Sequence, residues 1–202
     1  MAEIISGEDK AWEIITGLSA ADVCRRTGAV FDDASLTYRL EAFGMLFSLD
    51  PQKKEILNLS PEGAIFLGRL RYFFVLSALW YMVKATDAGA SGRLLKPSGM
   101  PGGDIFFRGS HVLPLDGIAK KYAHDGEGFR GRGAVYGGRM VSYGDVAVEF
   151  LPFPKIPVTV VLWLADEEWD ARADILFDAS ALQHLPIDVL WSVAMMSVLV
   201  FL

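Results

Sequence analysis

The chain has 202 residues, with 19 Lys and Arg against 25 Asp and Glu and a formal net charge of −6. Apolar residues make up 52% and charged residues 22%, which is too apolar and too weakly charged for a disordered chain. The basic excess of a nucleic-acid-binding surface is missing, so no nucleic-acid partner is expected. One cysteine, Cys24, excludes an internal disulfide, a cysteine-ligated zinc site and an iron–sulfur cluster built from this chain.

The N-terminal stretch is acidic and has no basic region ahead of an apolar run, so a secretory leader is not expected. With a lone cysteine, this points to the cytoplasm. Residues 8–18 place Trp12, Ile15 and Leu18 at helical spacing. Ser19 reads as the cap of a second short helix through Arg26, with Gly28 just past its end. The pattern then changes to period two. Leu36, Tyr38, Leu40 and Ala42 predict a half-buried strand, and Gly44 permits a turn. Met45–Leu49 and Glu55–Leu59 predict two more strands, joined by the Asp50-Pro51-Gln52-Lys53 turn in an antiparallel meander.

Ser60-Pro61-Glu62 starts a helix that should run to about Lys84. Its polar residues Arg69, Ser77 and Lys84 form one narrow stripe, which predicts a central core helix surrounded by protein on most sides. Its apolar run, Tyr72 to Val83, and the uncharged end from Val189 to Leu202 are both shorter than the roughly 20 residues of a membrane span. Burial in the domain is therefore expected for both. The alternative for the C-terminal helix is docking on a partner, including a homo-oligomer formed through it.

Thr86 to Arg93 reads as a small-residue loop and Lys96 to Leu113 as an irregular crossover. A helix begins near Pro114, with Leu115, Ile118, Ala119 and Tyr122 on one face. Gly126, Gly128, Gly131, Gly133, Gly137 and Gly138 argue against a helix in the next stretch, at roughly 1 kcal/mol each. A solvated loop is expected there. Val146, Val148 and Phe150 mark a strand ending at Pro152-Phe153-Pro154. Val158–Leu164 is apolar and β-branched, the pattern of a central strand covered on both faces, and Ala171–Phe177 returns as its neighbour. Asp178 to His184 reads as a polar connection, and Pro186 opens the terminal helix. The expected fold is α+β: a single domain over 1–202, with antiparallel meander sheets packed against a central apolar helix.

Several blocks carry a family pattern. They are Pro101-Gly102-Gly103-Asp104-Ile105-Phe106-Phe107, His111-Val112-Leu113-Pro114, Gly137-Gly138, Gly144-Asp145, Pro154-Lys155-Ile156-Pro157, Leu162-Trp163 and Ile175-Leu176-Phe177-Asp178-Ala179-Ser180. In this order the blocks resemble a bacterial and archaeal family of unknown function, domain-of-unknown-function family 3786, from about Ser19 to the end. The resemblance implies anaerobic hosts. It also implies, for some members, fusion to the iron–sulfur domain of corrinoid proteins, and hence a link to corrinoid or one-carbon metabolism and to a corrinoid or iron–sulfur protein partner. The glycine-rich 126–136 segment, where the family is helical, and the apolar C-terminus depart from that pattern.

The strongest candidate site is the crossover itself. Gly102 and Gly103 would let backbone approach a ligand, Arg108 can fork onto a carboxylate or phosphate, and His111 can act as acid, base or axial ligand. Asp104 and Phe107 complete the candidate ligand-binding set. The plainer reading is a structural crossover whose glycines shape turns. Arg130, Arg132 and Arg139 could hold an anion. The acidic run Asp166-Glu167-Glu168 reads as a charged turn. His111, His124 and His184 lack metal-ligand spacing, so no metal is expected, and the cofactor is left open. Arg25 and Arg26 should lower the pKa of Cys24 somewhat. No accepted catalytic motif is present. The expected function is a non-catalytic domain that binds a small molecule, cofactor or protein partner. The alternatives are an enzyme using His111 as acid–base with Arg108 as anion clamp, and an interaction module using the C-terminal helix.

Overall fold

The computed structural model describes residues 7–107 and 109–202. The first amphipathic stretch forms α1 (Gly7–Gly17), which buries Ala11, Trp12 and Ile15. In α2 (Ala20–Thr27), Ser19 holds the cap position, but its hydroxyl makes no capping bond. The helix ends at Gly28, whose φ of 76° lets its N–H donate to Cys24 O at 2.8 Å.

The first sheet is an antiparallel meander in chain order, β1 (Val30–Asp32), β2 (Thr37–Ala42), β3 (Met45–Asp50) and β4 (Glu55–Asn58). Tyr38, Leu40 and Ala42 face the core, as the period-two pattern requires. β1 has three residues, too few to show a period, and was not expected. Leu36 lies outside β2, in the turn, with a φ of 55° and an exposed side chain.

The long helix α3 (Pro61–Lys84) is capped by Ser60, whose Oγ accepts from Gly63 N at 3.1 Å. By length and composition it could cross a membrane, yet 50% of its most apolar window is buried inside the fold. Phe66, Leu70, Phe74, Ala78, Tyr81 and Met82 pack inward, and the helix contacts α1 and the first sheet. The expected polar stripe does not exist. Ser77 is fully buried and donates to Phe73 O at 2.7 Å, because a helical serine can satisfy itself on the preceding turn. The open side is instead the N-terminal half, where Ile65 and Tyr72 are exposed.

The chain then runs through β5 (Leu94–Leu95), a 3-10 turn at Pro97–Gly99, α4 (Gly103–Phe106) and a second 3-10 turn at Gly109–His111. α5 (Leu115–Lys121) buries Ile118 and Ala119 as expected. The glycine-rich stretch is a helix, α6 (Gly126–Val135), not a solvated loop. Asp125 Oδ1 caps it through Gly128 N at 2.7 Å, and the buried Phe129 ring stacks on Phe201 at 4.3 Å. A Cβ at Gly133 would stand 2.7 Å from Val148 Cγ1, so the glycine is what lets this helix lie on the sheet. Tertiary packing outweighs propensity here.

The second sheet adds β6 (Arg139–Val141), β7 (Val146–Phe153), β8 (Ile156–Trp163) and β9 (Arg172–Asp178), antiparallel in the order β5-β9-β8-β7-β6. β8 is central and buried through Leu162. The expected polar connection after Asp178 contains α7 (Ala181–His184), with Ala181 and His184 buried. The terminal α8 (Ile187–Leu199) packs on α3, β7 and β8 and buries Leu190, Val193, Ala194, Met196 and Val198, followed by Phe201. That burial places the apolar C-terminus in the core. A chain of rings joins both sheets through α3: Phe47 meets Phe74 at 4.5 Å, Tyr81 stacks on Phe153 at 4.7 Å, and Phe43 touches both Phe66 and Phe150. The fold is α+β around one contiguous core.

Candidate functional site

The inward face of the second sheet carries Val148, Phe150, Val158 and Val160. Alternation therefore sends Glu149, Leu151 and Pro157 to the other face. There, a cleft of about 590 Å³ opens between β6, β7 and the 87–92 loop. Asp87, Arg139, Tyr143, Glu149, Lys155 and Asp178 supply its polar lining. Arg139 and Glu149 face each other across β6 and β7 and form an ion pair at 2.6 Å.

Asp178 anchors the loop wall. Its carboxylate accepts from Ser91 N at 2.9 Å, Ser91 Oγ at 2.8 Å, Gly92 N at 2.7 Å, Ser180 N at 2.8 Å and Ser180 Oγ at 2.6 Å. Burial alone would raise this carboxyl, but the hydrogen bonds from Ser180 and Ser91 outweigh it and hold it well below the ordinary range. The other end of the loop is pinned at Thr86. Its N–H donates to His184 Nδ1 at 3.3 Å, and its carbonyl accepts from Lys155 Nζ at 3.0 Å. Burial pushes His184 down, the Lys155 charge adds to this, and Asp178 opposes it. Among the described residues His184 Nε2 has no partner.

Lys155 stands in the tight β7–β8 turn after Pro154. Among the described residues it makes no ion pair. Burial lowers its ammonium pKa, and the charges of Arg25 and Arg26 lower it further. Those arginines are held in place: Arg25 pairs with Asp22 and Asp87, while Arg26 bonds Asp22 and the carbonyl of Ala85. Burial pushes the Cys24 thiol up, opposite to the expected lowering, and outweighs the backbone hydrogen bonds that favour the thiolate.

The crossover residues lie away from this cleft. Gly102, with a φ of 78°, and Asp104 are exposed. Gly103 is buried so tightly that a Cβ would overlap Pro97 O. Phe107 packs on the core and lines a separate apolar hollow of about 200 Å³ beside Leu113 and Ile175. His111 meets Trp191 edge-on at 5.1 Å, and its carbonyl accepts from Trp191 Nε1 at 2.8 Å. Arg108 lies outside the described residues. Of the three arginines considered for an anion, Arg130 pairs with Glu127, Arg132 Nε donates to Val200 O at 2.6 Å, and Arg139 lines the cleft. Sequence reasoning missed Lys155 and Tyr143 and read Asp178 only as the start of a polar connection. The Pro-flanked block 154–157 and the 175–178 block were the signals that contained two of them.

The model of the domain of unknown function DUF3786 matches residues 19–199. The chain belongs to the DUF3786 family. No curated protein and no solved structure matches it. In this DUF3786 domain the matched span includes both sheets, α3, α8 and every residue lining the cleft.

Proposed function

We propose that this DUF3786 domain is a cytoplasmic binding module that takes a small anionic metabolite in the outer-sheet cleft, as an accessory to corrinoid or one-carbon metabolism. One observation carries the proposal: Lys155 lines the cleft, and its ammonium, bonded to Thr86 O, has no ion-pair partner among the described residues and feels the charges of Arg25 and Arg26. Asp22 and Asp87 partly offset Arg25 and Arg26, yet both arginines still disfavour the Lys155 ammonium, and an anion seated at Lys155 relieves that repulsion. Arg139, already shared with Glu149, offers remaining guanidinium donors, and Tyr143 offers a ring face. A cleft of about 590 Å³ falls in the range that encloses metabolite-sized ligands.

The test is a thermal-shift and calorimetric screen of phosphate, simple carboxylates, phosphorylated metabolites, cobalamin and haem. A ligand at about 100 times its Kd should stabilise the domain by about 2.7 kcal/mol. Lys155→Gln should abolish that shift while keeping the far-ultraviolet circular dichroism of the parent. Binding that survives Lys155→Gln, or a screen in which only neutral or cationic compounds bind, would sink the proposal.

A further inference from the structure

The opposite end of the second sheet carries a different kind of surface. Trp169 lies in the β8–β9 connection with 73% of its surface exposed. The backbone beneath it is an ordered turn. Asp166 Oδ1 accepts from Glu168 N at 2.8 Å and Trp169 N at 2.7 Å, and Asp166 N donates to Trp169 O at 3.0 Å. The turn thus fixes the backbone beneath a tryptophan whose ring is left largely in water. A large exposed aromatic on an ordered backbone is an ordinary anchor of a protein interface.

The ring lines one of two hollows that share Asp170. One, of about 460 Å³, is walled by Trp163, Trp169, Asp145 and Asp166. The other, of about 420 Å³, is lined by Asp116, Lys120 and His124. Four carboxylates line the pair against the cations Lys120 and Arg172, and the exposed Glu167 and Glu168 extend the acidic surface along the turn. Arg172 shows how this corner receives a guanidinium. Its charge lies over the Trp163 ring at 4.0 Å, from the paired position on β9. Trp169 offers a second such ring with its faces open.

We infer that the Trp163–Trp169 corner and its two hollows form a docking groove for an extended basic segment of a protein partner. Charge complementarity selects this occupant. A second copy of the chain would bring the same acidic groove and another net charge of −6. A segment running past Asp170 would place one basic side chain on Trp169 and a second among the carboxylates of the neighbouring hollow. This groove is separate from the Lys155 cleft and does not depend on the function proposed for it.

The test uses a short capped peptide alternating arginine with valine, and a matched peptide alternating glutamate with valine, titrated into the full chain by calorimetry. The arginine peptide should bind and the glutamate peptide should not. About 0.5 M salt should weaken the binding through screening. Trp169→Ala should weaken it about tenfold or more, the loss typical of an anchor residue, without lowering Tm. Trp169→Phe should recover part of that loss and Asp170→Asn should weaken binding a few-fold, while Lys155→Gln should leave it unchanged. Equal binding by Trp169→Ala and the parent, or equal binding of the two peptides, overturns the inference. Concentration-dependent dimerisation lost in Trp169→Ala would also overturn it and assign the groove to self-association.

Discussion

Asp178→Asn tests the anchor of the cleft wall. The substitution keeps the shape of the side chain and removes its charge. The retained oxygen can still face the donors from Ser91 and Ser180. The new amide replaces Oδ2 and turns its hydrogens toward Gly92 N, which now donates at 2.7 Å. One charge-assisted bond is lost, and a donor faces a donor. Bonds to charged groups contribute about 1.5–3 kcal/mol net, so a loss of about 2–3 kcal/mol is expected at neutral pH. In a chain of this length each kcal/mol moves Tm by about 2–4 °C, which gives a drop of roughly 4–12 °C. Part of the cost is moderated because Ser91 and Gly92 are exposed and water can reach their donors. The sign of the pH dependence follows from the lowered carboxyl. Its stabilisation is complete above the ordinary aspartate value of about 3.9 and is lost as pH falls below it. Urea unfolding of parent and variant between neutral and acid pH should therefore show a gap that narrows at the acid end. Amide exchange should accelerate in the 87–92 loop of the variant. Equal stability at neutral pH, or a gap that stays constant into acid, would refute the reasoning.

Two glycines in α6 should respond in opposite directions. Gly133→Ala forces a Cβ into the buried, β-branched Val148 and should cost about 1–2 kcal/mol, whereas Gly131→Ala meets nothing within 4 Å and should add about 0.5–1 kcal/mol by chemical denaturation. The lowered pKa of His184 means that the unfolded chain takes up this proton first, so stability should fall with pH below the ordinary histidine value of about 6.5. Nuclear magnetic resonance titration should place His184 below that value, and a midpoint at or above it would contradict the burial account. Tyr81→Phe removes the hydroxyl that donates to Thr27 O at 2.8 Å and should destabilise by about 1–2 kcal/mol, with the Tyr81–Phe153 stack left in place. Arg132→Ala should loosen the end of α8 by freeing Val200 O, seen as faster amide exchange over 198–202.

Local patterns were legible wherever one physical cause acted alone. The meander over 37–58 follows from alternation that gives every second side chain one buried face. The start of α3 follows from Ser60 and Pro61, whose chemistry is local to the first turn. The α6 stretch was not legible because its glycines oppose the helix locally and serve it only against Val148. Ser77 misled for a similar reason: polarity in the sequence suggested a wet stripe, while the hydroxyl is satisfied within its own helix. In the crossover, glycines and a histidine suggested a site, but Gly103 is shaped by contact with Pro97 and His111 packs on Trp191.

By itself, then, the amino-acid sequence determined the α+β class, the meander, the core helix, the central strand and the family, because these rest on periodicity, caps and block order along the chain. Only the tertiary structure decided where the cleft lies. Lys155, Arg139 and Asp178 belong to different strands and turns, and they meet because three antiparallel pairings bring β9, β6 and the β7–β8 turn to one face. Convergence of that kind depends on register and sheet order, which distant pairings set and no local window of residues contains.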